Sequence, residues 1–236
     1  MGNIIVNEGQ SQQLFIGSGN NPKDLSLQLL PAARMRLYLT DLNQDIAVSA
    51  HLDRDSYLDI FLGLPDTDNI NNRFDIHLDA PGAEFRLNGF VILTDLHICD
   101  TSVTVHHHAP HCTSNQLVKY IVDDNAHGSF SGLIRVDHGA FATEAYQSNR
   151  NILAGDSARM DSEPQLEIYC DDVKCSHGSA TGQLDERALF YMRSRGIDLP
   201  EARAMLMNAF MADVIDTVDD ETMRDNMKQA VEQRFS

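Results

Sequence analysis

The segment FDIHLDAPGAEFRL, residues 74–87, shows the pattern that decides the class of fold. Phe74, Ile76 and Leu78 alternate with polar residues, and after the turn-forming residues DAPG the alternation resumes at Phe85. A period of two residues is that of a β-strand with one buried face, and not that of a helix. The segment therefore predicts two strands that are joined by a short turn.

The same alternation occurs earlier in the chain. It is found at Met35, Leu37 and Leu39, and again at Ile46, Val48 and Ala50. Successive strands start about 11 residues apart, which is typical of an all-β sandwich or barrel. A solenoid with two strands in each coil has the same spacing. The period alone therefore predicts a mainly β protein and leaves these architectures open.

The pattern changes from strand to helix at Gly182. Asp185 is placed to cap a helix over residues 186–195, and Asp198 to cap a second helix that follows at once. A third helix is predicted after Asp219 or Asp220. We therefore expect a β domain over residues 1–181 and a small helical domain over residues 182–236.

The charge of the chain excludes several classes of partner. Its 236 residues include 18 Lys and Arg against 35 Asp and Glu, which gives a net charge of -17. Such a surface repels phosphate backbones and anionic lipids, so neither nucleic acid nor a membrane surface is expected as a partner. No apolar stretch reaches the roughly 18 residues of a membrane span, and the first residues do not resemble a signal peptide. We expect a soluble, cytoplasmic protein.

The segment VHHHAPHC is the first candidate for a chemical site. It contains four histidines and a cysteine: His106, His107, His108, His111 and Cys112. In a strand, His106 and His108 point to one side and His107 to the other, so two imidazoles could bind a metal on one face. No carboxylate lies at a matching offset in this segment. The alternative is a polar cluster at the end of a strand.

The segment CDDVKCSHG, residues 170–178, is the second candidate. Cys175 and His177 share one face of an extended chain, where a thiolate and an imidazole could hold iron or zinc. Lys174 could instead lower the pKa of the thiol. The alternative is a buried cysteine beside a hydrogen-bonded histidine. Motifs of nucleotide-binding sites, serine hydrolases and zinc proteases are absent from the sequence.

Two stretches of the chain resemble a known family. HHHAPHCTSNQLVKY, residues 106–120, and residues 145–197, with KCSHG and GQLDERALFYMRSRGI, resemble the SufB/SufD family of iron-sulfur cluster assembly scaffolds. The SufD-type members match better, because SufB-type motifs around that protein's own cysteine are not evident. The resemblance implies a right-handed parallel β-helix followed by helices. It also implies an N-terminal helical region before the β-helix, so that this chain is expected to be a short form or a fragment.

The resemblance also implies a function. Family members of this type are non-enzymatic scaffolds that pair with SufB and dock the ATPase SufC. The position of His177 is implicated in cluster assembly near the SufB interface, in the acquisition of iron, and Cys175 matches a neighbouring family cysteine. We therefore expect no permanently bound cofactor, but a transient iron ion or iron-sulfur cluster. Cys170 stands where the family more often has a small residue, so it is either an extra ligand or a core residue.

The helices are expected to carry the ATPase contact. An apolar, methionine-rich surface on the second helix predicts a contact face that includes some of Met205, Met207, Phe210 and Met211. Packing of these side chains in the protein core is the simpler alternative. Two other functions stay open: a metal-dependent β-solenoid enzyme that uses His106, His108, Cys175 and His177 around one ion, and a homodimer formed through open strand edges.

Overall fold

The computed structural model describes residues 2–17, 19, 22–65 and 69–235 of the chain. Within them no helix has both the length and the apolar character that crossing a membrane requires. The strands are β1 Gly2–Val6, β2 Ser11–Ile16, β3 Asp24–Leu29, β4 Arg34–Thr40, β5 Ile46–Leu52, β6 Tyr57–Leu64, β7 Ile70–Leu78, β8 Glu84–Leu93, β9 Ile98–His107, β10 Thr113–Val122, β11 His127–Val136, β12 Thr143–Leu153, β13 Arg159–Ile168 and β14 Val173–Gly182. The helices are α1 Glu186–Ser194, α2 Leu199–Ile215 and α3 Glu221–Phe235.

The strands form two parallel sheets, and the chain adds a strand to each sheet in turn as it winds. The odd-numbered strands lie in order in one seven-stranded sheet, which we call sheet A, and the even-numbered strands in a second, which we call sheet B. Each coil contributes one strand to each sheet. Every strand pair in the described part of the chain is parallel. The predicted β-solenoid is confirmed and the sandwich is excluded, while its right-handed sense stays a prediction.

The core of the first coils consists of apolar columns between the two sheets. Leu37 on β4 is in register with Ile60 on β6, which is in register with Leu87 on β8, and all three are fully buried. The turns between strands hold the coils close together. At Gly82 the backbone has a φ of 78°, and a side chain there would collide with the carboxylate of Asp55 on the coil below. The DAPG turn therefore requires its glycine.

The helices begin where the sequence predicts. The Asp185 carboxylate accepts hydrogen bonds from the backbone N–H groups of the first turn of α1, and Asp198 accepts one from Glu201 in α2. Of the two candidates before α3, Asp220 is a cap, because its carboxylate accepts a hydrogen bond from the N–H of Met223 at 2.8 Å. Each cap satisfies a backbone donor that the helix leaves unpaired.

Helices α2 and α3 lie against the outer face of sheet B, and α1 packs on α2. The sheet contributes a row of apolar side chains there: Tyr38, Phe61, Phe90, Ile92, Ile121 and Ile152. Met207 and Met211 of α2 pack into this layer and are 2% and 0% exposed. Neither methionine is accessible to a partner, so only the other members of the predicted ATPase contact face could serve, and the contact itself stays a prediction. Met205, 48% exposed, and the half-buried Phe210 remain available.

A buried lysine anchors α2 to the sheet. The side chain of Lys119, on the outer face of β10, is 4% exposed, and its ammonium donates to the Phe210 carbonyl and the Asp213 carboxylate, both at 2.6 Å. The same ammonium lies 4.5 Å from the centroid of the Phe210 ring. Lys119 belongs to the segment NQLVKY, which is part of the sequence that resembles the family. In this structure the residue has a structural role.

Candidate functional site

Cys175 and His177 lie on the last strand of sheet B, at the open end of the solenoid. In the described residues β14 pairs only with β12, where Cys175 is in register with Ala145 and His177 with Gln147. The last strand of sheet A, β13, belongs to the same coil. Both sheets therefore end together and leave two unpaired strand edges at one end of the molecule. His177 is exposed and Cys175 is half-buried.

A polar interior leads to this end. Where the early coils have leucine and isoleucine, the same column of sheet B continues from Leu87 through Gln116 and Gln147 to His177. Both glutamines are buried, and their amide groups make no hydrogen bond within the described structure. Buried amide groups normally form hydrogen bonds. Two glutamines without them indicate that this part of the interior is more polar than packing alone requires. The column places His177 at the mouth of that polar interior.

The environment of Cys175 makes it a weakly acidic thiol. Its side chain packs on a small apolar cluster that includes Ile134 and Val136, and this burial raises its pKa above the ordinary value. The ammonium of Lys174 is 2.7 Å from the carboxylate of Glu144, so Lys174 is neutralised by an ion pair on the surface. The interpretation in which Lys174 activates the thiol is therefore wrong. Binding of a metal ion would be needed to stabilise the thiolate.

The site supplies few metal ligands. Within the described residues, no group of three His, Cys, Asp or Glu ligand atoms includes Cys175 or His177. Cys170 is half-buried and packs against the same apolar cluster as Cys175, as a core residue would. What the open end offers is one thiol and one imidazole, two residues apart on an exposed strand.

The four cysteines should differ sharply in their reaction with an alkylating reagent. Cys99 and Cys112 are fully buried, and burial raises their pKa to about 12 and about 11. At pH 7.5 we expect iodoacetamide to label Cys170 and Cys175 in the folded chain and to reach Cys99 and Cys112 only after unfolding. Mass spectrometry of tryptic peptides measures this. Rapid labelling of Cys99 before unfolding would contradict the structure.

The histidine segment is divided between the inside and the outside of the coil, as predicted. His107 is buried in the interior, and its Nε2 lies 2.9 Å from the Ser114 hydroxyl. His106 and His108 lie on the outer face of sheet A. Cys175 and His177 belong to sheet B, so the structure does not bring these four residues together around one ion.

The structure adds two histidines that sequence reasoning missed. His51 on β5 and His77 on β7 are in register with His106 on β9, and together with His108 they form what we call the histidine ladder. A signal for it is present in the sequence, because the tripeptide His-Leu-Asp occurs at 51–53 and again at 77–79. The carboxylates that the segment VHHHAPHC itself lacks are supplied by other coils of the solenoid. His111 instead packs edge-to-face on Phe141, and the Cys112 thiol donates to a backbone carbonyl.

Comparison with known proteins gives the family. The model of the family described as "SUF system FeS cluster assembly, SufBD core domain" matches residues 39–210, which is most of the chain. The chain belongs to the SufBD family. Within that family it is SufD-like, since it is 38% identical over 158 residues to the iron-sulfur cluster assembly protein SufD of Escherichia coli. This alignment covers 67% of the chain and 37% of the E. coli protein.

Other relatives agree with this assignment. A chloroplastic protein of Arabidopsis thaliana, ABCI7, is 39% identical over 149 residues, which cover 59% of this chain and 31% of the relative. An iron-sulfur cluster assembly SufBD family protein of Mycobacterium leprae is 28% identical over 233 residues, which cover 93% of this chain and 59% of the relative. The chain thus spans less than two thirds of the relatives it matches. The SufBD match runs from the end of β4 into α2 and includes both Cys175 and His177.

Proposed function

We propose that this SufBD family member is a scaffold subunit of the Suf machinery, which pairs with a SufB-type subunit through the open end of its solenoid. The observation that carries the proposal is the position of Cys175 and His177 on the unpaired edge strand β14. The Escherichia coli relative is named for iron-sulfur cluster assembly. A cluster or iron ion held at this edge is the cargo of such a scaffold.

The small number of ligands at the open end supports a site that is shared between two subunits. Iron-sulfur clusters are commonly held by four protein ligands, whereas the open end provides one thiol and one imidazole. A second subunit placed against β14 would supply the others. The site therefore works only when two chains meet, and the cluster leaves when the ligand set is disrupted. No resident cofactor is proposed at the open end of the chain alone.

The strand edges support pairing with another solenoid. β13 and β14 each present a row of backbone groups that no neighbouring strand in the described part of the chain occupies. A partner with two sheets of the same spacing would continue both at once and satisfy these groups. When the chain is mixed with a SufB-type subunit, we expect a one-to-one complex by size-exclusion chromatography with light scattering. A chain that forms only its own dimer, or none, would overturn the pairing.

We further propose that an ATPase of the SufC type docks on the helices. Large apolar side chains remain exposed on α1 and the start of α2, although α2 already covers sheet B: Phe190, Tyr191, Leu199 and Met205, which are 76%, 59%, 41% and 48% exposed. Exposed aromatic side chains of this size are typical of a protein contact. As a scaffold the chain catalyses no reaction itself, and hydrolysis of ATP takes place in its partner.

A double substitution tests the docking surface. Phe190→Glu with Tyr191→Glu should weaken co-purification with the ATPase at least about tenfold, because two contact side chains become charged. Since both side chains are exposed, the circular dichroism spectrum should not change. Ile5→Glu is the matched control, because Ile5 is 51% exposed on β1 of sheet A, whereas α2 and α3 lie against sheet B. Unaltered ATPase binding by the double variant would exclude this surface.

A further inference from the structure

The histidine ladder on the outer face of sheet A is an assembly that the scaffold function does not use. The rings of His77 and His106 are stacked with centroids 4.5 Å apart and planes 4° from parallel, and those of His51 and His77 are stacked in the same way. The spacing follows from the sheet, because in-register residues of adjacent parallel strands lie about 4.8 Å apart. The solenoid therefore repeats one imidazole on three consecutive coils.

Three of these side chains bring ligand atoms together. His77, His106 and His108 each offer a ring nitrogen, and these nitrogens lie within 4.8 Å of one another. His77 Nδ1 and His108 Nε2 are 3.1 Å apart. Two nitrogens bound to one ion at 2.0 to 2.1 Å are separated by about 3 Å, so this pair already has the spacing of a shared ligand site. The three rings are nearly parallel, so binding of one ion requires them to rotate about their χ2 torsions, which are broad for histidine.

In each of these three histidine rings, the other nitrogen faces a carboxylate. His108 Nδ1 lies 2.7 Å from Asp137 Oδ2, and the Nε2 atoms of His77 and His106 lie 3.4 Å and 3.2 Å from Asp75 Oδ1. Histidine ligands of metals usually donate their other N–H to a carboxylate, which fixes the ring and its tautomer. Asp137 holds His108 so that Nε2 is left as the ligand atom. Asp75 lies beside Nε2 of His77, and Nδ1 of the same ring faces His108.

Asp75 lies close to two of the ligand rings. Its Oδ1 atom is buried and forms no hydrogen bond of good geometry within the described structure. The Asp75 side chain as a whole is 47% exposed, and rings reoriented by a metal would turn their N–H groups towards this oxygen. Asp79 is also near, with Oδ1 4.0 Å from His108 Nε2, and can balance the charge of a cation.

We propose that His77, His106 and His108 bind a divalent transition metal of borderline softness, such as Zn²⁺, Co²⁺ or Ni²⁺. Imidazole suits ions of this class, and three nitrogen ligands leave an open position for water or for a group from another molecule. Asp137 and Asp75 are positioning residues that orient the ligand rings. The site lies on the outer face of sheet A, whereas Cys175 and His177 belong to sheet B, so its existence does not depend on the proposed scaffold function.

Titration with Co²⁺ tests the proposal. The full chain, freed of metal by a chelator, should bind one equivalent of Co²⁺ with visible d–d absorption, and Zn²⁺ should displace it. His77→Gln and His106→Gln should each weaken binding at least about tenfold, and Asp137→Asn about tenfold through the loss of orientation of His108. Circular dichroism verifies that each variant is folded. Asp137→Asn changes no ligand, so it tests the site even if a histidine variant proves unstable.

Two controls separate this site from the rest of the chain. His138→Gln replaces an exposed histidine that packs on Tyr169 and is not part of the ladder, and it should leave Co²⁺ binding unchanged. His177→Ala should also leave it unchanged. Retention of full affinity by the folded His77 and His106 variants would overturn the proposal. Loss of the bound equivalent in His177→Ala alone, or failure of the chain to bind Co²⁺, would do the same.

Discussion

Replacement of His177 by alanine should reduce the iron or cluster content of the assembled complex about tenfold or more, while the complex itself still forms. His177 is exposed at the open end, and within the described residues its side chain forms no hydrogen bond, ion pair or ring contact, so its loss removes a proposed ligand and not a packing element. The change can be measured as iron and sulfide per complex after reconstitution. Size-exclusion chromatography of the same sample reports whether the subunits still associate.

His107 provides the matched control for this experiment. It is the buried member of the histidine segment and makes a hydrogen bond with Ser114 in the interior, so His107→Gln alters the core and not the edge. We expect its cluster content per folded complex to remain close to that of the parent chain. If His177→Ala assembles clusters normally, or fails only because the chain no longer folds, the role proposed for His177 is wrong.

A charge at Met211 should strongly destabilise the protein, whereas the same charge at Met205 should not. Met211 is fully buried in the apolar layer that the helices form with sheet B, so Met211→Asp places a carboxylate without a partner in that layer. We expect this variant to lose about 4 kcal/mol or more of unfolding free energy, enough to detach the helices or unfold the chain. Met205→Asp should change the unfolding free energy by less than about 0.5 kcal/mol, because Met205 is exposed.

Urea denaturation followed by circular dichroism measures both variants. The pair also separates the two interpretations of the methionines on α2, since Met205→Asp should keep its stability yet weaken binding of the ATPase. Equal stability of the two variants would contradict the packing of α2 on sheet B. Loss of stability in Met205→Asp would show that the proposed docking surface is part of the core.

Structural features that depend only on residues close together in the chain could be predicted from the sequence. Alternation over a few residues locates strands such as β7 and β8, and the short polar side chains of Asp185 and Asp198 locate the starts of helices. The opposite orientations of His106 and His107 follow from the same period of two. The family resemblance added the choice of a solenoid over a sandwich, which the local pattern could not make.

The sequence could not predict which residues on other coils are in register with a given residue, because the coils differ in length. Arg34 is in register with Tyr57, whereas Thr113 is in register with Glu144, so no fixed repeat gives the column to which a residue belongs. A shift of one residue would also reverse which side chains point inward. Strands such as β7 and β8, the helix starts and the common face of Cys175 and His177 could therefore be predicted from the chain's own pattern. The stacking of His51 and His77 with His106, and the burial of Met207 and Met211 in the layer between the helices and sheet B, required the folded chain, because those contacts join segments far apart in sequence.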